Sequence, residues 1–135
     1  MSTISASSTW TDAERFLGIA TSGHAIVLDA AAEKTANSPM ELVLIGLCGC
    51  TAFDVVSILR KKREPFTTVK VDAHAERVVG PPSVYTEIQL TYTIGGKVSH
   101  KAVEDAVRLS EEKYCSVAAM LNKTAKISYK IVYVD

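Results

Sequence analysis

Ser38-Pro39-Met40-Glu41-Leu42-Val43-Leu44-Ile45-Gly46-Leu47-Cys48-Gly49-Cys50-Thr51-Ala52-Phe53-Asp54-Val55-Val56 is almost wholly apolar, yet it encloses two thiols and one acid. Ser38 suits an N-cap and Pro39 the first helical position, while Glu41, three residues after the serine, completes an S-x-x-E capping box. The apolar run covers residues 42–59 and ends in Arg60-Lys61-Lys62-Arg63, cations that suit the negative end of a helix dipole. Its length is that of a membrane span, but Asp54 lies inside it and Gly46 and Gly49 interrupt it, so the reading is a buried helix of a soluble protein. A helix apolar on every side must be covered on every side. One chain of 135 residues with thin sheets has too few elements for that, which predicts an obligate homodimer.

The rest of the composition narrows the class. A length of 135 residues fits a single domain, residues 1–135, able to bury a core without disulfide staples. The 15 basic and 15 acidic residues cancel, which argues against a nucleic-acid partner and against a membrane-surface helix. Residues 60–63 read either as a solvated helix end or as a phosphate site. Residues 1–11 are rich in Ser and Thr and lack the basic and apolar regions of a secretory leader, so a cytoplasmic location is expected. Three cysteines at irregular spacing do not make a disulfide framework, and Cys48 and Cys50 form C-x-C, not the C-x-x-C of redox and zinc motifs. His24, His74 and His100 are far apart and form no ligand pair, so no metal and no cofactor are expected.

Periodicity supplies the remaining elements. Extended segments at residues 16–21 and 24–30, joined by Ser22-Gly23, read as a hairpin that leads to the central helix through a polar loop at residues 33–37. Val69, Val71, Ala73 and Ala75 alternate with polar neighbours, and so do Val84, Thr86, Ile88, Leu90, Tyr92 and Ile94. With Gly80-Pro81-Pro82 between them, these two strands form an antiparallel hairpin. Ser99 can cap a second helix with Val103, Ala106, Val107 and Ser110 inside and Glu104, Arg108, Glu111 and Glu112 outside. That helix reaches Tyr114-Cys115, after which a short helical piece covers residues 117–121, and residues 127–133 alternate as a last strand. The order is that of an α+β domain.

Ser38-Pro39-Met40-Glu41-Leu42, Gly49-Cys50-Thr51-Ala52-Phe53-Asp54-Val55-Val56 and Lys113-Tyr114-Cys115-Ser116-Val117 resemble the OsmC/Ohr family of osmotically inducible and organic-hydroperoxide-resistance proteins, most closely its YhfA-like branch. The resemblance implies an OsmC-like fold, antiparallel sheets wrapped around a long central helix, and an intertwined homodimer with its thiol site at the interface. It also implies a thiol-dependent peroxidase that reduces organic hydroperoxides with Cys50 attacking, Cys115 resolving and Glu41 organising the site, and a thiol reductant as partner. Two positions depart from the catalytic branches: Ser116 stands where they carry proline, and Arg15 is the only arginine before the central helix, where they use one to charge the site.

Each of these residues has a plainer reading. Free cysteine is among the most buried side chains, so Cys50 and Cys115 also fit as small core residues. Burial among Leu, Val and Ile raises a thiol's pKa unless a cation is near, whereas Cys115, at the start of a helical piece, has a position that favours thiolate. Glu41 is a cap or a site acid. About 13 Å of helix separates it from Cys50, on the opposite face, so a shared site needs a partner subunit or a folded-back loop. Asp54 lies one turn after Cys50 on the same face and opposes its ionisation unless paired; a buried, hydrogen-bonded acid is the favoured role. Tyr114 is a core aromatic or a pocket wall. A non-catalytic dimer binding a small apolar ligand, or a redox sensor, are the alternatives to the enzyme.

Overall fold

The computed structural model describes residues 1–135 as two compact units, residues 1–44 and 45–135. The first contains a three-stranded antiparallel sheet in the order β1 (Ala6–Asp12), β2 (Arg15–Ala20), β3 (Ala25–Asp29). The hairpin predicted from residue 16 onward is therefore β2 and β3. Strand β1 gave no sequence signal: its residues, ASSTWTD, are all exposed and carry no inside-outside alternation. Ala13 takes up a left-handed conformation in the β1–β2 turn, at φ 45°.

Asp29 ends β3 almost completely buried, at 1% exposure. Its carboxylate accepts from the backbone N–H of Ala31 at 2.8 Å and from the N–H and hydroxyl of Thr35 at 2.9 and 2.7 Å, and so organises the loop before the central helix. Those donors favour the charged form and hold the Asp29 pKa down at about 2.

Helix α1 (Pro39–Lys61) begins with the predicted capping box. Ser38 N–H donates to Glu41 Oε1 at 2.8 Å, and Glu41 N–H donates to Ser38 Oγ at 3.2 Å. At its other end, Arg63 N–H reaches the Arg60 carbonyl at 3.0 Å and Glu64 N–H the Leu59 carbonyl at 2.9 Å, with Arg63 left-handed at φ 57°. This is a Schellman stop in which an arginine occupies the usual glycine position. Lys62 pairs with Asp105 at 3.6 Å, so part of the basic run is engaged in closing the helix end.

The second unit holds β4 (Phe66–Arg77), β5 (Tyr85–Gly96) and β6 (Lys126–Val134), in that order across one sheet. β4 and β5 pair antiparallel as predicted, but β6 joins β5 parallel, so this sheet is mixed. Its inner face is Ile88, Leu90, Tyr92 and Ile94, all at most 1% exposed. The predicted alternation fails only at the start of β5. A register shift between Glu76 and Arg77 leaves Thr86 as an extra residue, and Tyr85 turns inward in its place. Gly96, at φ 104°, lies so close to the strand opposite that an added Cβ would stand 2.6 Å from the Pro65 carbonyl.

The parallel return runs through α2 (His100–Leu109), a π-helical turn (Ser110–Tyr114) and α3 (Ser116–Leu121). Ser99 caps α2, accepting from Ala102 N–H at 3.2 Å, and Ala102, Val103, Ala106 and Val107 face the core. The predicted all-round burial of α1 is not met within one chain. Leu47, Thr51, Val55 and Leu59 are buried at fourfold spacing, while Ile45 is 52% and Phe53 71% exposed. Only 22% of the helix's most apolar window is covered.

Candidate functional site

Helix α1 and the π turn bring two of the predicted site residues together. Cys50 and Asp54 stand one turn apart on α1, and Cys115 follows the π turn as the N-cap of α3. The Cys50 and Cys115 sulfurs and an Asp54 oxygen all lie within 4.8 Å of one another. The π turn produces this juxtaposition. Cys115 N–H bonds to the Ser110 carbonyl at 2.9 Å, five residues back, so the chain inserts one residue more than an α-helix would before it reaches the thiol.

Two side-chain bonds clamp the π turn. Ser110 is completely buried and its hydroxyl donates to Asp54 Oδ2 at 2.8 Å, the hydrogen-bonded role read for that acid. Tyr92, also completely buried, donates from its hydroxyl to Glu111 Oε1 at 2.5 Å. The sequence placed Glu111 on the outer face of α2 because of its charge, but it stands one turn after buried Val107, where its carboxyl meets Tyr92. Burial raises the Glu111 pKa above the ordinary glutamate range, partly offset by the tyrosine donor. Burial, and then the bond to Glu111, keep Tyr92 protonated at any ordinary pH.

Cys115 sits at a helix start without the thiolate character expected there. Burial pushes its pKa well above the ordinary thiol range, and the neighbouring Cys50 sulfur pushes the same way. The N–H groups of Ala118 and Val117 pull it down less, Ala118 N–H reaching the sulfur at 3.3 Å. Cys115 is thus held as a thiol beside the Cys50 sulfur. Cys48 lies outside the cluster; burial and then the charge of Asp72 raise its pKa. Tyr114 is 51% exposed and, with Phe53, Ser57 and Asp54, borders a surface groove. Of the histidines in this unit, His100 stacks on Tyr133 at 3.7 Å and His74 is exposed.

Within residues 1–44, Glu41 is engaged in the capping box, whose bonds from Ser38 lower its pKa. Arg15 is held by Asp12 at 2.5 Å and reaches Thr35 Oγ1 at 3.4 Å.

A fold in which a long helix is followed by a strand pair and a returning cysteine-bearing helix matches a known family. The model of that family, described as OsmC-like protein, aligns with residues 32–130. The chain belongs to the OsmC-like family. Among OsmC-like relatives, Protein YhfA of Escherichia coli (strain K12) is 44% identical over 126 residues, 91% of this chain and 94% of that one. The crystal structure of an OsmC like protein from Mycoplasma pneumoniae superposes with a TM-score of 0.87 at 16% identity, over 99% of both chains. That of a Legionella pneumophila protein described as an organic hydroperoxide resistance protein OsmC superposes with a TM-score of 0.73 at 16% identity, over 98% of both. At such identities the last two establish the fold alone.

Proposed function

We propose that this OsmC-like protein is a thiol-dependent peroxidase that reduces small organic hydroperoxides through Cys50 and Cys115. The observation that carries this reading is the closeness of the two thiols, whose sulfurs lie within 4.8 Å of each other, with Cys115 kept protonated. The Cys50 sulfur attacks the peroxide O–O bond, the alcohol leaves with a proton, and Cys50 becomes a sulfenic acid. The Cys115 sulfur then attacks the Cys50 sulfur, the S–S bond forms, and the sulfenic hydroxyl leaves as water with the Cys115 proton. One hydroperoxide and two thiols give one alcohol, one water and one disulfide, which an external dithiol reduces. The groove beside Phe53 and Tyr114 suits an apolar peroxide.

The same reading makes the active form a homodimer in the cytoplasm. Exposed Ile45 and Phe53 on so apolar a helix support a second copy as the cover for α1. Glu41 then serves the second copy's thiols, because half a helix of separation keeps it from its own. Sedimentation at micromolar concentration should show no folded monomer; a stable one rejects the dimer.

Exposure of the reduced protein to an organic hydroperoxide, followed by peptide mapping, tests the chemistry. A dithiol-reversible Cys50 to Cys115 disulfide is the expected product. Cys50→Ser abolishes turnover, Cys115→Ser leaves Cys50 open to over-oxidation, and Cys48→Ser changes little. Both cysteines remaining reduced in folded protein would overturn the peroxidase.

A further inference from the structure

We infer that Cys50, Cys115 and Asp54 together form a binding site for a thiophilic divalent cation, zinc being the best match, when both thiols are reduced. This goes beyond the peroxidase reading and does not depend on it. The three donor atoms lie within 4.8 Å of one another. A tetrahedral zinc ion, with bonds of about 2.0–2.3 Å, holds its donors about 3.5–3.8 Å apart, so side-chain rotation closing a gap of at most about 1.3 Å completes the site.

The donor set and its support agree with that ion. Two thiolates select zinc over magnesium or calcium, and three protein donors leave the fourth position to water. The carboxylate is already oriented: Ser110, completely buried, donates to Asp54 Oδ2 at 2.8 Å, the kind of outer bond that aims a ligand at its metal. The charge balance points the same way. Lys61 lines the same groove as Asp54 but makes no ion pair with it, so the Asp54 carboxylate has no cationic partner within the chain. A divalent cation displaces the two thiol protons to solvent and supplies the missing positive charge. Asp54 also borders the surface groove, which gives the ion a route in.

Cobalt(II) is the probe, added to the full-length protein after reduction with a phosphine and removal of metals. One cobalt per chain should bind with a near-ultraviolet thiolate-to-metal charge-transfer band, bleached when zinc displaces it. Cys50→Ser and Cys115→Ser should each abolish the band while circular dichroism reports a folded chain, and Cys48→Ser should retain it. Ser110→Ala, which deletes no ligand, should weaken binding about 10- to 100-fold. No band with folded wild-type protein, a band surviving Cys50→Ser or Cys115→Ser, or unchanged affinity in Asp54→Asn would each overturn the three-donor site. Hydroperoxide consumption by the metal-free protein is read separately, so failure of one reading does not touch the other.

Discussion

Tyr92→Phe removes one oxygen from the interior and should expose how the π turn is held. The Tyr92 hydroxyl has no solvent access and donates to Glu111 at 2.5 Å, so phenylalanine leaves the ring packed and the carboxyl without its donor. A hydrogen bond to a charged group contributes about 1.5–3 kcal/mol and one between neutral groups about 0.5–1.5. Burial raises the Glu111 pKa, so the folded chain holds that proton more tightly than the unfolded one. Glu111's contribution to stability is complete below the ordinary glutamate range and fades as pH rises through the raised value. The tyrosine offsets that loss by stabilising the carboxylate. The substitution should therefore cost about 2 kcal/mol near about pH 8 and about 1 kcal/mol near about pH 4. Urea unfolding at fixed protein concentration measures both values. Peroxide treatment should form Cys50 sulfenic acid at the wild-type rate but close the disulfide more slowly, since Cys115 follows the loosened turn. An equal cost at both pH values, or none, refutes the clamp.

Ala13→Gly should stabilise the protein by about 0.5–1 kcal/mol in thermal or urea unfolding, because relief of a left-handed alanine outweighs the added freedom of the unfolded chain. Ser38→Ala should cost about 1 kcal/mol by the same assay, since it removes the hydroxyl that accepts from Glu41 N–H. Asp29 is held as carboxylate by its loop donors, so its stabilisation is present above the ordinary aspartate pKa and lost as pH falls toward about 2. Asp29→Asn should accordingly flatten the acid side of the stability profile, measured by unfolding across that range.

What the sequence made legible was whatever depends on local pattern. The S-x-x-E box located the first turn of α1, the twofold alternation located β4, β5 and β6, and Ser99 located the start of α2. Cys50 and Asp54 could be put on one face because four residues make about one turn. Their meeting with Cys115 could not be read in this way, since it depends on a π turn that no residue of Ser110-Glu111-Glu112-Lys113-Tyr114 announces. Glu111 was assigned outside on its charge although it stands one turn after Val107, and Ser110, although placed inside, had no visible partner. Strand β1 escaped because an exposed edge strand has no buried face to pattern. The thiolate expected at Cys115 was a local argument overruled by burial, which is a property of the assembled core.

The five-residue turn also fixes how the gene for this protein can change. Loss of a single codon between 110 and 114 would let α2 continue as a regular helix, the cheaper conformation of the backbone. The cysteine N–H would then bond the same Ser110 carbonyl from four residues away instead of five, so the cysteine would keep its place beside Cys50. Gain of a codon would instead advance the thiol by about 100° and turn it away from Cys50, so the turn is open to shortening and closed to lengthening.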